Sequence, residues 1–471
     1  MKFQLADGVF PEVALSKDRA AAVQQQVSDL VAATLQLSEN FVDEVDAHAW
    51  KLLKSKEKVR VFRSRQPKNH HHRHQHHADE DDVERSDVAS QHTAEWSPTS
   101  SSSDTSTSSF PFAARGEREA TSRRFVSRRV HKFLASTMPG HAAASSDDTA
   151  SETHIEGSHA HARAPGERVP VLVAAGLLGG SVDDVALGFL ADTDTRWHRR
   201  DLFLDESLEA SRVLATLQTP TTREPFRYMA VKWGVRPFGK FATPRDFVFV
   251  EATGWTNNSE GQRVGYHVRQ SLELPGYREL QDANLIRGYV STCFTFRQSN
   301  SDSVELFCRG LMDSRGDLRR SVGCNLYADR LLTVTNIVEC GLAQKLMWQV
   351  QQLQHEQRGQ SSHERFSTSP KCASCAKSLN KFGTLLQSGG ACHCCRRVSW
   401  LSIVSFSCEL IADDDIVGVF QQTFCGKCTI GKKIVMPVGD DVVHKMLSFC
   451  MQCILQARAI PARNVAMIAG A

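Results

Sequence analysis

What the chain lacks narrows its function first. No apolar run of ~18 residues is present, which argues against a helix that crosses a bilayer. The amino-terminal Met-Lys-Phe-Gln-Leu-Ala-Asp carries no apolar leader core, so a soluble protein in the reducing cytoplasm is expected. An excess of one charge is missing too: 56 Lys and Arg stand against 53 Asp and Glu, and a net charge of +3 gives no global field for nucleic acid. A Gly-rich phosphate loop, a G-x-S-x-G elbow and an HExxH pair are all absent. The expectation is therefore a protein without covalent chemistry.

Cysteine, by contrast, is concentrated. Ten of the 14 fall between Cys372 and Cys453. Eight of them form C-x-x-C pairs: Cys372/Cys375, Cys392/Cys395, Cys425/Cys428 and Cys450/Cys453. Each pair can place two thiolates on one tetrahedral ion, so the set predicts two Cys₄ zinc sites. Disulfides are the competing reading, and they need an oxidising compartment. Cys394 and Cys408 fall outside the pairs.

The order of these pairs, with Lys-Phe-Gly after the first and Cys-x-x-Cys-Arg-Arg at the second, resembles a FYVE-type zinc finger over residues 371–457. The resemblance implies interleaving: first and third pairs on one zinc, second and fourth on the other. Where the family carries a basic motif, this chain has Gly389, Gly390 and Ala391 before Cys392, then His393. No fixed cation is offered to a phosphate, so a structural or protein-binding finger is expected rather than a reader of phosphatidylinositol 3-phosphate. Between Cys395 and Cys425 lie 29 residues where the family has a short turn. Removing Val398 to Gln422 restores the family spacing, and a surface insertion and a translated intron both account for it.

Upstream, Val23, Val27, Leu30, Val31 and Leu35 recur at helical spacing, predicting a helix from about Ser16 to Phe41. Lys58-Val-Arg-Val-Phe-Arg alternates as a half-buried strand does. Residues 67–167 are low in complexity, with a His run, an acidic cluster at Asp79 to Asp82 and a Ser/Thr tract, a composition that stays disordered. Order resumes near Val169 with a strand from Pro170 and a short helix capped by Ser181. Antiparallel strands follow: Met229 to Val235, with Met229, Val231, Trp233 and Val235 inward, then Phe247 to Val250, Val264 to Val268, Ile286 to Arg297 and Val304 to Leu311. One long amphipathic helix over about Asp317 to Leu353 closes the pattern. A curved sheet gripping such a helix leaves an apolar cavity suited to small hydrophobic ligands.

Thr243-Pro-Arg-Asp-Phe-Val, with Pro225-Phe-Arg-Tyr-Met-Ala-Val-Lys-Trp, Leu274-Pro-Gly-Tyr and Arg287-Gly-Tyr, resembles the START-plus-FYVE proteins of oomycetes. The fold class expected is α+β: a helix-grip START-like domain over 1–66 and 168–357, interrupted by 67–167 and joined through a linker at 358–370 to the finger. The family implies reversible binding of a lipid or other hydrophobic small molecule, with an endosomal or other membrane as a partner surface. Arg245 and Asp246 can hold a headgroup or form a structural pair that anchors the strand. Trp233, Tyr266 and Phe294 are expected on one sheet face, as core or as cavity lining. The rival functions are a ligand-free scaffold and a RING-like ubiquitin ligase, which would need a lone His ligand such as His393.

Overall fold

The structure is a computed structural model. It describes residues 13, 15–41, 49–65, 169–206, 208–239, 242–316, 318–358, 372, 374–377, 392–395, 427–438 and 441–468. The low-complexity stretch 67–167, the linker beyond Arg358, Cys425 and the insert at 398–422 lie outside the described residues. The chain divides into one unit of Met1–Arg65 with Glu152–Ala471 and a second of Gln66–Ser151, and every described residue belongs to the first.

Helix α1 (Lys17–Asn40) begins where Ser16 Oγ accepts the Arg19 amide at 3.2 Å, and it buries Val23, Val27, Leu30, Val31 and Thr34 along one stripe. Hairpin strands β1 (Trp50–Lys56) and β2 (Val59–Ser64) come next, and β3 (Leu172–Gly179) pairs with β2 directly, Val59 opposite Gly176. The sheet thus continues across the intervening stretch as if it were absent. In α2 (Val182–Phe189), Ser181 Oγ accepts the Asp184 amide at 3.1 Å, the cap that the sequence predicts. Helix α3 (Asp194–Phe203) goes unannounced by the hydrophobic pattern. Its charged residues conceal it, since Arg196, Arg200 and Asp201 are buried together with Trp197 and Phe203.

Strands β4 (Ala210–Gln218), β5 (Tyr228–Arg236), β6 (Arg245–Asn257), β7 (Arg263–Ser271), β9 (Tyr289–Asn300) and β10 (Ser303–Asp313) complete an antiparallel sheet of order β1-β2-β3-β10-β9-β7-β6-β5-β4. The strand expected from Ile286 to Arg297 is two elements. Ile286–Arg287, β8, runs parallel to β6, held by the Ile286 amide on Pro244 O at 3.2 Å and the Gly288 amide on Asp246 O at 2.9 Å.

The single long helix is likewise two. Helix α4 (Arg320–Leu332) and helix α5 (Ile337–Arg358) are separated by a 3₁₀ turn at Thr333–Asn336. The run Thr-Val-Thr-Asn explains the break, because β-branched side chains fit a helix poorly and both threonine hydroxyls bond back to carbonyls: Thr333 to Arg330 O at 2.7 Å, Thr335 to Leu332 O at 2.9 Å.

Both sheet faces are covered. Helix α1 lies over β7, β9 and β10 and shares one core with Val231, Trp233, Val248 and Val268, whereas α2, α4 and α5 share the other with Phe249, Phe294, Phe296 and Leu306. All nine residues of β5 are therefore buried, so the inward and outward alternation expected there does not hold. Helices α2 and α5 cross closely: a Cβ on Gly188 would meet the Ile337 carbonyl oxygen at 2.3 Å, and one on Gly341 the Asp184 oxygen at 2.5 Å. Past the cysteine pairs, hairpin β11 (Thr429–Val438) and β12 (Asp441–Cys450) leads to α6 (Met451–Ala459) and α7 (Ala462–Ile468), extending ordered chain beyond the expected boundary at 457. Ile454, Ala457, Val465 and Ala466 join the same apolar core as α2 and α5. Among the described residues no helix is long and apolar enough to cross a membrane.

Candidate metal centres, buried ion network and surface cleft

The sulfurs of Cys392, Cys395, Cys450 and Cys453 lie within 4.8 Å of one another, and those of Cys372, Cys375 and Cys428 do likewise. The second pair thus meets the fourth, and the first meets the described half of the third, which is the interleaving that the resemblance implies. Local structure produces this. Cys450 ends β12 and Cys453 sits in the first turn of α6, so both thiols turn to one side, while ladder pairing sets Thr429, next to Cys428, opposite Cys450. Zinc–sulfur bonds of about 2.3 Å put tetrahedral sulfurs ~3.8 Å apart, so the four-cysteine group fits zinc in chemistry and size. His393 and Cys394 belong to neither group. The His393 ring nitrogen Nδ1 lies 3.2 Å from the Ser448 carbonyl oxygen instead.

The inner sheet face carries an ion network that sequence reasoning missed. Glu251 on β6 receives Lys232 at 2.5 Å, Arg200 at 2.8 Å, His267 at 2.9 Å and Arg269 at 3.1 Å. Asp201 on α3 receives Arg236 at 2.5 Å, Arg200 at 2.9 Å, Arg269 at 3.3 Å and the Trp197 indole N–H at 2.8 Å. Glu206 extends it, 3.0 Å from Arg269, 3.1 Å from Arg236 and 3.3 Å from the Thr333 hydroxyl. Burial alone would raise the Glu251 carboxyl, but the Arg200 and Lys232 cations outweigh it and hold it well below the usual range. Burial pushes His267 down to about 4 despite its bond to Glu251, so the ring is neutral near pH 7. The available signal is a charge set in mid-strand among apolar neighbours, Lys232 in β5 and Glu251 in β6.

The four expected ligand residues are placed as follows. Arg245 is fully buried, donating to the carbonyls of Thr243, Ser314 at 3.0 Å and Arg315 at 3.1 Å. Asp246 accepts from Arg287 at 2.8 Å and from the Trp233 indole N–H at 3.0 Å. These contacts fix the start of β6 to its neighbours. Trp233 and Tyr266 lie on the face covered by α1, whereas Phe294, opposite His267 in the ladder, lies on the other. The expectation that all three share a face is corrected by this register.

A surface cleft of about 380 Å³ opens between the tip of the β1–β2 hairpin and the ends of α3 and α4, lined by Lys54, Lys56, Leu204, Asp205, Asp329, Leu332 and others. Thr333, also in its wall, bonds Glu206 and so links the cleft to the ion network.

No family model matches the chain, and no curated protein does. Among solved structures, human STARD10 is 11% identical, covering 73% of this chain and 86% of its own, with a TM-score of 0.34. Human StAR-related lipid transfer protein 5 is 10% identical, covering 67% and 96%, also at 0.34. A STAR-related lipid transfer protein fragment from Xanthomonas axonopodis is 9% identical, covering 62% and 96%, at 0.30. TM-scores of this size are too low to carry a functional inference.

Proposed function

We propose that this protein is a non-enzymatic binder of a lipid or similar amphipathic small molecule, built on a START-like helix-grip domain and braced by a FYVE-like module with two structural zinc ions. The cleft beside the β1–β2 hairpin carries this reading. Its volume falls in the range of small-molecule sites, Leu204 and Leu332 supply apolar wall, and Thr333 connects it to buried charge that can orient a polar head. The zinc module docks on the domain rather than standing apart: Arg196 donates to the Val465 and Ala466 carbonyls at 3.0 and 3.2 Å, and Lys432 pairs with Glu339 at 2.7 Å. Its role is to hold α2, α3 and α5, and cysteines kept as metal-binding thiolates suit the reducing, cytoplasmic side of a membrane. Zinc bound here would supply closed, four-coordinate structural sites from Cys392, Cys395, Cys450 and Cys453, and from Cys372, Cys375 and Cys428 with Cys425 as the fourth ligand.

A ligand-free scaffold is the second reading, favoured by the ion network, whose contacts of 2.5–3.3 Å occupy sheet–helix space that a larger lipid would need. Native mass spectrometry of the full chain separates the two. Copurified lipid, lost on organic extraction and regained on incubation with vesicles, supports the first; a mass equal to chain plus metal under all conditions supports the second.

A further inference from the structure

Helix α3 spans ten residues, below the roughly 12–15 under which an isolated helix is marginal in water. Partners must therefore hold it. Toward the sheet it offers two apolar anchors, Trp197 and Phe203, and between them Arg200 and Asp201, which enter the ion network around Glu251. Its two ends are fastened by the metal-bearing module. In the first turn, Arg196 donates to the Val465 and Ala466 carbonyls of α7 at 3.0 and 3.2 Å. At the last turn, the Phe203 carbonyl accepts from Lys433 of β11 at 2.9 Å, and the same ammonium meets Asp205 at 2.6 Å.

These anchors lie on chain that the metal organises. Strand β11 follows directly on Cys428, and α7 follows α6, whose first turn carries Cys453. A lone hairpin and helices of nine and seven residues are too short to stand unaided. In so small a unit the free energy of metal binding is free energy of folding, so metal loss releases both ends of α3 together.

The inner side of α3 is suited to leaving. Ions that separate regain water, which offsets much of the attraction they lose, whereas parted apolar surfaces gain nothing. Helix α2 is the contrast: it buries Val185, Leu187 and Phe189 and meets α5 at backbone contact through Gly188 and Gly341. Such an interface stays closed.

We propose that α3 is a metal-dependent gate, pinned over the ion network while the cysteine groups hold zinc and melting away when zinc is lost, so that the sheet face carrying Glu251 opens to water. Leu204 and Asp205, at its end, wall the cleft, so the same event would dismantle that wall and free a bound molecule. That last step rests on the lipid-binding reading; the gate itself does not.

The test is hydrogen exchange of the full chain, zinc-loaded and after treatment with EDTA, with metal content read by native mass spectrometry. Chelation should speed exchange of residues 194–206 about tenfold or more, leave α1 and β9 unchanged, and be reversed by added zinc. The double variant Arg196→Ala, Lys433→Ala should keep both zinc ions yet exchange 194–206 nearly as fast as the metal-free parent. Faster exchange confined to 427–468, loss of protection in α1 and β9 in step with α3, or slow exchange of 194–206 in the zinc-loaded double variant overturns the gate. A second arm uses a fluorescent fatty acid, NBD-stearate, which should leave the protein on chelation. If this probe never binds the zinc-loaded chain, the ligand reading falls and the exchange result still decides the gate.

Discussion

The Lys433 ammonium lies 2.6 Å from Asp205 Oδ1 and 2.9 Å from the Phe203 carbonyl oxygen, tying strand β11 of the zinc module to the last turn of α3. Asp205 also lines the cleft, so one side chain joins the metal-bearing part of the chain to the rim of the candidate ligand site.

Lys433→Ala should therefore loosen that rim without unfolding the protein. The ion pair is partly exposed, so the loss should be about 0.5–1 kcal/mol. Hydrogen exchange should show faster labelling of residues 201–206 and unchanged labelling of β6 and β7; uniform labelling throughout would contradict the tie.

Glu251→Gln should be far more damaging. It leaves Arg200, Lys232 and Arg269 sharing less negative charge inside the fold, a loss of about 3–5 kcal/mol. The urea midpoint of the variant should drop accordingly. Adding Lys232→Met should recover part of that loss, because it removes a cation left without its main partner.

Acid should act through His267. Its folded pKa is about 4, below the ordinary 6.5, so between these values the unfolded chain binds a proton that the folded chain refuses. Stability from this residue is complete above pH ~6.5 and falls as pH drops toward 4, by about 3 kcal/mol. The lowered carboxyls of Glu251 and Glu206 add a further loss below their unfolded values, near 4.5. Denaturation curves at about pH 7 and about pH 5 should differ less in His267→Gln than in the parent.

Metal content should follow the cysteine grouping. Cys453→Ala should lower bound zinc from two ions to one and strip protection from α6 and α7, whereas Cys394→Ser should leave both ions in place. Native mass spectrometry reads both. Loss of zinc in the Cys394 variant would reassign the ligands.

Much of this architecture is legible in the sequence, and the reasons for the rest are specific. The stripe Val23, Val27, Leu30 announces α1, Ser181 announces the start of α2, and four equal spacings announce the cysteine groups. Those signals are local. What stays hidden depends on partners far along the chain. Lys232 reads as solvent-facing because its counter-ion, Glu251, arrives from the next strand and α3 closes over both. Trp233 and Tyr266 read as core or as cavity lining because nothing local says that α1 covers their face. Arg245 and Asp246 are adjacent in sequence, yet each turns to different partners, Arg245 to carbonyls and Asp246 to Arg287.

The pairing of Val59 with Gly176 has a kinetic and evolutionary side. Two neighbouring strands flank roughly a hundred intervening residues, and bringing them together costs loop-closure entropy that grows only with the logarithm of the spacer length. Doubling or halving the spacer would shift stability by about 0.6 kcal/mol. Selection on the sheet therefore places little limit on the length of that stretch, and relatives of this chain are free to differ widely there while keeping β2 beside β3.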